Sequence, residues 1–189
     1  MPKRLEIRLA GTGGQGLILA GVILAEAAGI HEGKFVAQTQ SYGPEARGGA
    51  SKSEVVISDA EIDYPKAIKP DMLVCLSQAA CDTYIFDLKP GGVLMVDATL
   101  VHDLPTTRAV ALPFTRIARE ETGSEMYANI VALGALSALT GIVSLKSLEA
   151  ALLTRVPPET AELNRKALKA GATAAREYLH RQKRTGPLE

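Results

Sequence analysis

Two loops in the sequence carry residue types that bind anions. The first contains GTGGQG, in which Gly11, Gly13 and Gly16 have the GxGxxG spacing. It lies between an alternating strand and an apolar helix, so backbone amides and the helix N-terminus can face a phosphate without intervening side chains. The second loop, SYGPEARGGA at residues 41–50, holds Arg47, whose guanidinium can bind a phosphate or a carboxylate.

Each loop also has a purely structural explanation. The glycines of the first loop can serve close packing of a strand against a helix, and Arg47 can pair with Glu45 or Glu54 on the surface. In an open α/β sheet, however, ligands bind outside the carboxyl ends of the strands. Both loops follow strands that end at this edge, which favours a binding function for the pair.

The glycine loop departs from the two common nucleotide-binding motifs. A dinucleotide fingerprint expects an acidic residue about 20 positions further on, at the end of the second strand. That strand ends with residues 38–41, QTQS, which include no carboxylate, so NAD binding is disfavoured. Arg47 leaves NADP or another phosphate-bearing ligand open. A hydrolytic P-loop is excluded, because Leu17 stands where a lysine would follow the last glycine.

The sequence predicts no catalytic residue and no metal site. It contains no GxSxG elbow, reactive-cysteine motif or paired carboxylates. Asp97 follows an apolar strand, where capping the next turn is favoured over a role as a base. Asn129 leads an apolar helix and either caps it or faces a ligand. The two cysteines, Cys75 and Cys81, form no CxxC pair and are predicted to be reduced core thiols.

Composition excludes several classes of protein. The 189 residues suffice for one domain, which we predict to span residues 1–189. Basic and acidic residues number 21 each and aromatic residues make up 4%, which disfavours nucleic acid and anionic membranes as partners. The apolar run at residues 129–143 is shorter than the roughly 20 residues of a membrane span, and the N-terminus has no signal-peptide core. We therefore expect a soluble cytoplasmic protein.

Strand and helix patterns alternate along the chain. Strands are predicted at residues 5–10, 34–40, 51–58, 71–77, 93–99 and 107–114, with a possible short edge strand at 61–65. Helices are predicted at 17–28, 78–88, around 117, at 127–140, at 145–155 and after 157. This order indicates an α/β fold of one domain, with an open, mostly parallel sheet, helices on both faces and a helical C-terminal region.

Four segments together resemble a known family. They read GTGGQGLILAGVILAEAA, QTQSYGPEARGGASKSEVVIS, PDMLVCLSQAA and LKPGGVLMVDATLV. They are similar to the gamma subunit of the 2-oxoacid:ferredoxin oxidoreductases. The resemblance extends from Leu5 into the helix at Asn129, with YGPEARGG as its most specific part, and the helix after Pro157 adds little.

The resemblance implies a function within a complex. Enzymes of this family oxidatively decarboxylate a 2-oxoacid with thiamine diphosphate, pass electrons through iron–sulfur clusters to ferredoxin, and form an acyl-CoA. It implies that thiamine diphosphate and Mg lie between alpha and beta subunits, and that the clusters lie in beta or in a ferredoxin-like delta subunit. This chain would hold no cofactor alone, be inactive alone, assemble with those subunits and help to position coenzyme A. Isolated from them, it could form a homodimer.

The resemblance also implies a set of contacts. The loop at residues 42–51 would contact the partner subunit and coenzyme A, with Arg47 and the amides of the glycine loop as anion contacts. The predicted cofactor-binding residues are Gly11, Gly13, Gly14, Gln15, Gly16, Ser41, Tyr42, Gly43, Arg47, Gly48, Gly49, Ser51 and Asn129.

The resemblance favours 2-oxoglutarate over pyruvate as the substrate, although 2-oxoisovalerate and indolepyruvate enzymes share the motifs. Two other functions stay open. One is a stand-alone nucleotide or acyl-CoA binding module, and the other is an NADP-dependent oxidoreductase.

Overall fold

The computed structural model describes residues 4–41, 50–104, 106 and 109–185. Six strands form one sheet: β1 Arg4–Thr12, β2 Phe35–Ser41, β3 Ala50–Ser58, β4 Met72–Cys75, β5 Val93–Asp97 and β6 Val110–Leu112. Six α-helices accompany them: α1 Leu17–Glu26, α2 Gln78–Tyr84, α3 Phe114–Thr122, α4 Ala128–Thr140, α5 Leu145–Arg155 and α6 Ala161–Thr185.

The strand order is β2-β3-β1-β4-β5-β6. β1, β4, β5 and β6 are parallel neighbours, whereas β3 is antiparallel to both β1 and β2. The eight residues between β2 and β3 are too few for a crossover connection, so the two strands can pair only as an antiparallel hairpin. The predicted α/β class is confirmed, with one strand of the mostly parallel sheet reversed.

Helices cover both faces of the sheet, as predicted. Alternate residues of β1 and β4, such as Ile7 and Val74, pack with α1, α4, α5 and α6 in the larger core. The residues between them, such as Leu73 and Cys75, face the other side and pack with α2. Among the described residues, no helix combines the length and apolar composition that a membrane crossing requires.

The structure differs from the sequence predictions at residues 61–65 and at the ends of several elements. Residues 61–65 form no strand; instead the Arg4 guanidinium donates to the Tyr64 carbonyl, and the Glu6 carboxylate accepts hydrogen bonds from the Ile68 and Lys69 amides. The Tyr64 carbonyl thus bonds to a side chain, and Glu6 holds the backbone that follows the segment.

The helix predicted at 17–28 ends as α1 at Glu26 and continues as a π-helical turn, Ala27–His31. The helix predicted at 78–88 ends as α2 at Tyr84 and continues as a 3-10 turn, Ile85–Asp87. The strand predicted at 93–99 ends as β5 at Asp97, and Phe114, predicted in a strand, begins α3. The extent of the domain over residues 1–189 stays a prediction.

Candidate anion-binding rim

The glycine loop follows β1 at the edge of the sheet where β2 also ends. β1 ends at Thr12 and β2 at Ser41, and both strands end at the edge where β3 begins. In the register, Thr12 lies opposite Ala50 and Ser41 lies opposite Lys52. The glycine loop, residues 13–16, therefore begins at the edge of the sheet where β2 ends and β3 begins, and the predicted loop at 42–49 lies outside the described residues. We call this edge, with the glycine loop, the rim.

Gln15 holds the glycine loop against the ends of two strands. Its side-chain Oε1 accepts a hydrogen bond from the Thr12 amide, and its Nε2 donates to the Leu76 carbonyl, both at 2.8 Å. The Gln15 backbone amide also donates to the Thr12 carbonyl at 3.3 Å. Both ends of the Gln15 side chain thus bond to protein, so this side chain supports the shape of the loop.

Asn129 joins the other end of the loop to α4. Its Nδ2 donates to the Gly16 carbonyl and its Oδ1 accepts from the Ile130 amide, both at 2.9 Å. The Asn129 side chain approaches so closely that a Cβ on Gly16 would lie 2.5 Å from Nδ2. Gly16 also has a φ of 70°, a left-handed conformation that favours glycine. Asn129 is 4% exposed and faces this carbonyl, so its geometry favours a positioning role over direct contact with a ligand.

The glycine loop leaves a set of backbone amides open to solvent. Gly13, Gly14 and Gly16 are exposed, and their amides have no acceptor in the part of the chain that the structure describes. A Cβ on Gly13 or Gly14 would meet no heavy atom within 4 Å. The loop leads into the N-terminus of α1, which has no side-chain cap hydrogen bond. Unpaired amides beside a helix N-terminus form an arrangement that attracts anions.

The other predicted site residues divide into two groups. Gly11 lies in β1 opposite Ser51, whose buried hydroxyl is 3.5 Å from the Gly11 carbonyl, and Ser41 is exposed at the end of β2. The second group lies outside the described residues: Tyr42, Gly43, Arg47, Gly48 and Gly49. The cofactor-binding role of both groups stays a prediction.

Asp97, at the end of β5, is fully buried, and both of its carboxylate oxygens accept hydrogen bonds from the protein. Its Oδ1 accepts from the Thr99 amide at 3.0 Å, and its Oδ2 accepts from the Thr115 amide at 3.1 Å and from the Thr115 hydroxyl. The capping role predicted for this carboxylate is confirmed.

The two thiols also lie in the core. Cys75 and Cys81 are both buried, and a hydrogen bond that the Cys75 thiol donates to Cys81, together with burial, raises the pKa of Cys75. Within the described ranges, no group of three or more His, Cys, Asp or Glu side chains is placed to hold a metal ion.

One buried charge network was missed by the sequence analysis. Arg8 in β1 is 2% exposed, and its Nε lies 2.8 Å from the carboxylate of buried Glu54 in β3. Lys52 also pairs with Glu54 at 2.9 Å, while Arg8 reaches Asp87 and lies 5.2 Å from the Tyr84 ring centroid. The network fastens the end of α2 to the sheet. Its only sequence signal is charged residues within strands that are otherwise largely apolar.

The comparisons with known proteins agree with this fold. The family model for pyruvate ferredoxin/flavodoxin oxidoreductase matches residues 6–174. The 2-oxoglutarate synthase subunit KorC of Methanocaldococcus jannaschii is 58% identical over 178 residues, which cover 92% of this chain and 95% of that protein.

Two solved structures are also similar. The keto/oxoacid ferredoxin oxidoreductase gamma subunit of Geobacter sulfurreducens has a TM-score of 0.85 and 54% identity, covering 93% of this chain and 98% of that one. The 2-oxoglutarate:ferredoxin oxidoreductase of Magnetococcus marinus, with 2-oxoglutarate, coenzyme A and succinyl-CoA bound, has a TM-score of 0.79 and 27% identity. The match covers 93% of this chain and 31% of that one. The chain belongs to the pyruvate ferredoxin/flavodoxin oxidoreductase family, and the resemblance to its gamma subunits is confirmed.

Proposed function

We propose that this chain is the gamma subunit of a 2-oxoglutarate:ferredoxin oxidoreductase and that its rim contributes to the binding of coenzyme A. The observation that carries the second part is the exposed, preorganised loop of amides at the carboxyl edge of the sheet. A binding loop of this kind fits a subunit that helps to bind a substrate while the cofactors of the reaction are held by its partner subunits.

The proposed substrate, 2-oxoglutarate, is supported by the sequence identity between this chain and relatives that it matches over almost their whole length. The chain and the 2-oxoglutarate synthase subunit of M. jannaschii share 58% identity over almost the whole of both proteins. The larger M. marinus enzyme has 2-oxoglutarate, coenzyme A and succinyl-CoA bound. The proposed reaction is the oxidative decarboxylation of 2-oxoglutarate to succinyl-CoA, with ferredoxin as the electron acceptor.

The glycine loop suits a phosphate group of coenzyme A. Coenzyme A is anionic, and the amides of Gly13, Gly14 and Gly16 can each donate a hydrogen bond to a phosphate oxygen. The positive end of the α1 dipole adds a favourable charge interaction. Gln15 and Asn129 would hold these donors in place before the ligand arrives, so that little ordering is needed on binding. Arg47 is proposed as a second anion contact from the neighbouring loop.

The remaining groups of the reaction are proposed to lie in the partners. Thiamine diphosphate with Mg would be held between alpha and beta subunits, and iron–sulfur clusters by beta or delta. Thiamine diphosphate, when bound, supplies the carbanion chemistry of decarboxylation. This chain would contribute assembly and the position of coenzyme A, in the predicted cytoplasmic compartment.

Affinity purification under anaerobic conditions tests the assembly and the substrate. The tagged chain is captured from its native cytoplasm, and the eluate is assayed for iron, thiamine diphosphate and 2-oxoacid-dependent reduction of a viologen dye. We expect larger chains to co-purify with both cofactors and 2-oxoglutarate to be a better substrate than pyruvate. Elution of the chain alone, without cofactors, would contradict the proposed function.

The coenzyme A contact is tested in the assembled complex. Arg47→Ala removes a predicted anion contact, so we expect the KM for coenzyme A to rise about tenfold or more while the KM for 2-oxoglutarate changes little. Arg176→Ala is the matched control, because Arg176 is exposed on α6. An unchanged KM for coenzyme A in an Arg47→Ala complex that assembles normally would refute the contact.

A further inference from the structure

An exposed aromatic residue marks a groove beside α2. Phe86 lies in the 3-10 turn that follows α2, and 90% of its surface is exposed, more than for the other large apolar residues exposed in the described part of the chain. The groove beside it has a volume of about 390 Å³. Its walls come from the end of α2 and from the segment after β5, and they are formed by Asp82, Ile85, Phe86, His102, Asp103 and Leu104.

The two walls of this groove, which we call the Phe86 groove, are fastened to each other by Gln78. The Gln78 Oε1 accepts hydrogen bonds from the His102 and Asp103 amides at 3.0 and 3.1 Å. Its Nε2 donates to the Asp103 carbonyl at 2.9 Å and to an Asp82 carboxylate oxygen at 2.8 Å. One side chain therefore bonds both walls, and the groove is formed without a bound partner.

The groove combines an apolar surface with negative charge. Ile85, Phe86 and Leu104 supply the apolar part, and Asp82 and Asp103 flank it with exposed carboxylates. Neither carboxylate forms an ion pair with a residue of the described ranges 4–41, 50–104, 106 and 109–185. A partner segment that places a positive charge beside an apolar side chain would complement this surface.

We propose that the Phe86 groove docks a segment of a catalytic subunit in which a Lys or Arg stands beside an apolar side chain. The inference rests on the proposed function and identifies where and how that subunit is held. Buried aromatic residues at the centre of an interface carry a large share of binding energy, and Phe86 is placed to become one. The two carboxylates would pair with the partner's cation and set the register of docking.

Three variants of the tagged chain, co-expressed with the catalytic subunits, test the proposal. Phe86→Ser removes the apolar anchor, and we expect about a tenfold loss of captured catalytic subunits. Asp103→Lys reverses a charge, and we expect a several-fold loss that is greatest at low salt, where charge interactions are screened least. Met126→Ser is the matched control: Met126 is 75% exposed but lies in the turn before α4, so capture should stay at the wild-type level.

The possible results separate the docking site from the proposed function. Because Phe86 is exposed, Phe86→Ser should keep the wild-type unfolding temperature, so a loss of capture cannot be assigned to misfolding. Wild-type capture by Phe86→Ser would overturn the docking site and leave the proposed function standing. If the wild-type chain self-associates, and Phe86→Ser converts it to a monomer without changing the capture of catalytic subunits, the groove is occupied by a second copy of the chain. That result would overturn the proposal. A wild-type chain that captures no catalytic subunit would refute both.

Discussion

Asn129 offers a direct test of how the glycine loop is held. In Asn129→Ala, the buried Ile130 amide loses its acceptor and the Gly16 carbonyl loses one of its two donors, retaining the Ala20 amide at 3.0 Å. Removing the acceptor of a buried N–H costs about 1–3 kcal/mol, and losing a second hydrogen bond costs about 1 kcal/mol. We therefore expect the free energy of unfolding, measured in urea, to fall by about 2–4 kcal/mol.

The loop itself is followed by amide hydrogen exchange. The Ala20 amide reports on the first turn of α1, because it bonds to the same Gly16 carbonyl as Asn129. We expect this amide to exchange faster in Asn129→Ala, relative to amides in the centre of the sheet. In Asn129→Asp, a carboxylate oxygen can still accept from Ile130 but would face the Gly16 carbonyl, so the Ala20 amide should again exchange faster. The KM for coenzyme A in the proposed complex should rise in both variants.

A second buried asparagine provides the control. Asn164 is 5% exposed and donates to the carbonyl and hydroxyl oxygens of Thr160, far along the chain from the glycine loop. Asn164→Ala should lower stability without selectively accelerating exchange at Ala20. Unfolding of Asn129→Ala at the wild-type urea concentration, or equal acceleration of exchange at the Ala20 amide in the two alanine variants, would refute this role of Asn129.

Two further predictions concern packing and pH. A Cβ on Gly134 in α4 would lie 2.0 Å from a backbone carbonyl oxygen of α6. Gly134→Ala should therefore lower the free energy of unfolding, measured in urea, by about 3 kcal/mol. Gly13→Ala is the control and should be nearly neutral, because a Cβ on Gly13 would meet no heavy atom within 4 Å. Burial opposes ionisation of Glu32, but hydrogen bonds from Ser144 and Ser147 outweigh it and lower the pKa of Glu32. The carboxylate therefore stabilises the fold above the ordinary pKa, and this contribution is lost as pH falls through the lowered value. Urea midpoints of wild type and Glu32→Gln should differ at pH 7 and converge in acid; a constant difference would contradict this.

Local patterns predicted most of the strands and helices. Alternation at the start of the chain and the apolar run of β4 mark strands that are buried on one or both faces. These patterns depend on which faces of a strand are buried and not on which strands are its neighbours. The spacing of Gly11, Gly13 and Gly16 likewise predicted a loop between β1 and α1. The antiparallel direction of β3 could not be predicted from its residues, because apolar and polar residues can alternate in the same way in parallel and antiparallel strands.

The internal support of the rim could not be predicted, because it joins residues that are distant in sequence. Asn129 and Gly16 are 113 positions apart, and Gln15 and Leu76 are 61 apart. Gln15 and Asn129 were predicted from the sequence to be cofactor contacts. The structure shows that both side chains bond to the backbone, which no local pattern records.

The rim and the Phe86 groove meet at one short segment of the chain. The Leu76 carbonyl accepts from Gln15 of the glycine loop, the Ser77 hydroxyl caps α2, and Gln78 fastens the groove. Three consecutive residues therefore connect the proposed coenzyme A contact to the proposed docking site through hydrogen bonds. Because this connection is short and partly buried, a catalytic subunit seated in the groove would fix the distance between its own active site and the glycine loop. In the proposed complex, docking and coenzyme A positioning would thus both depend on the segment at residues 76–78.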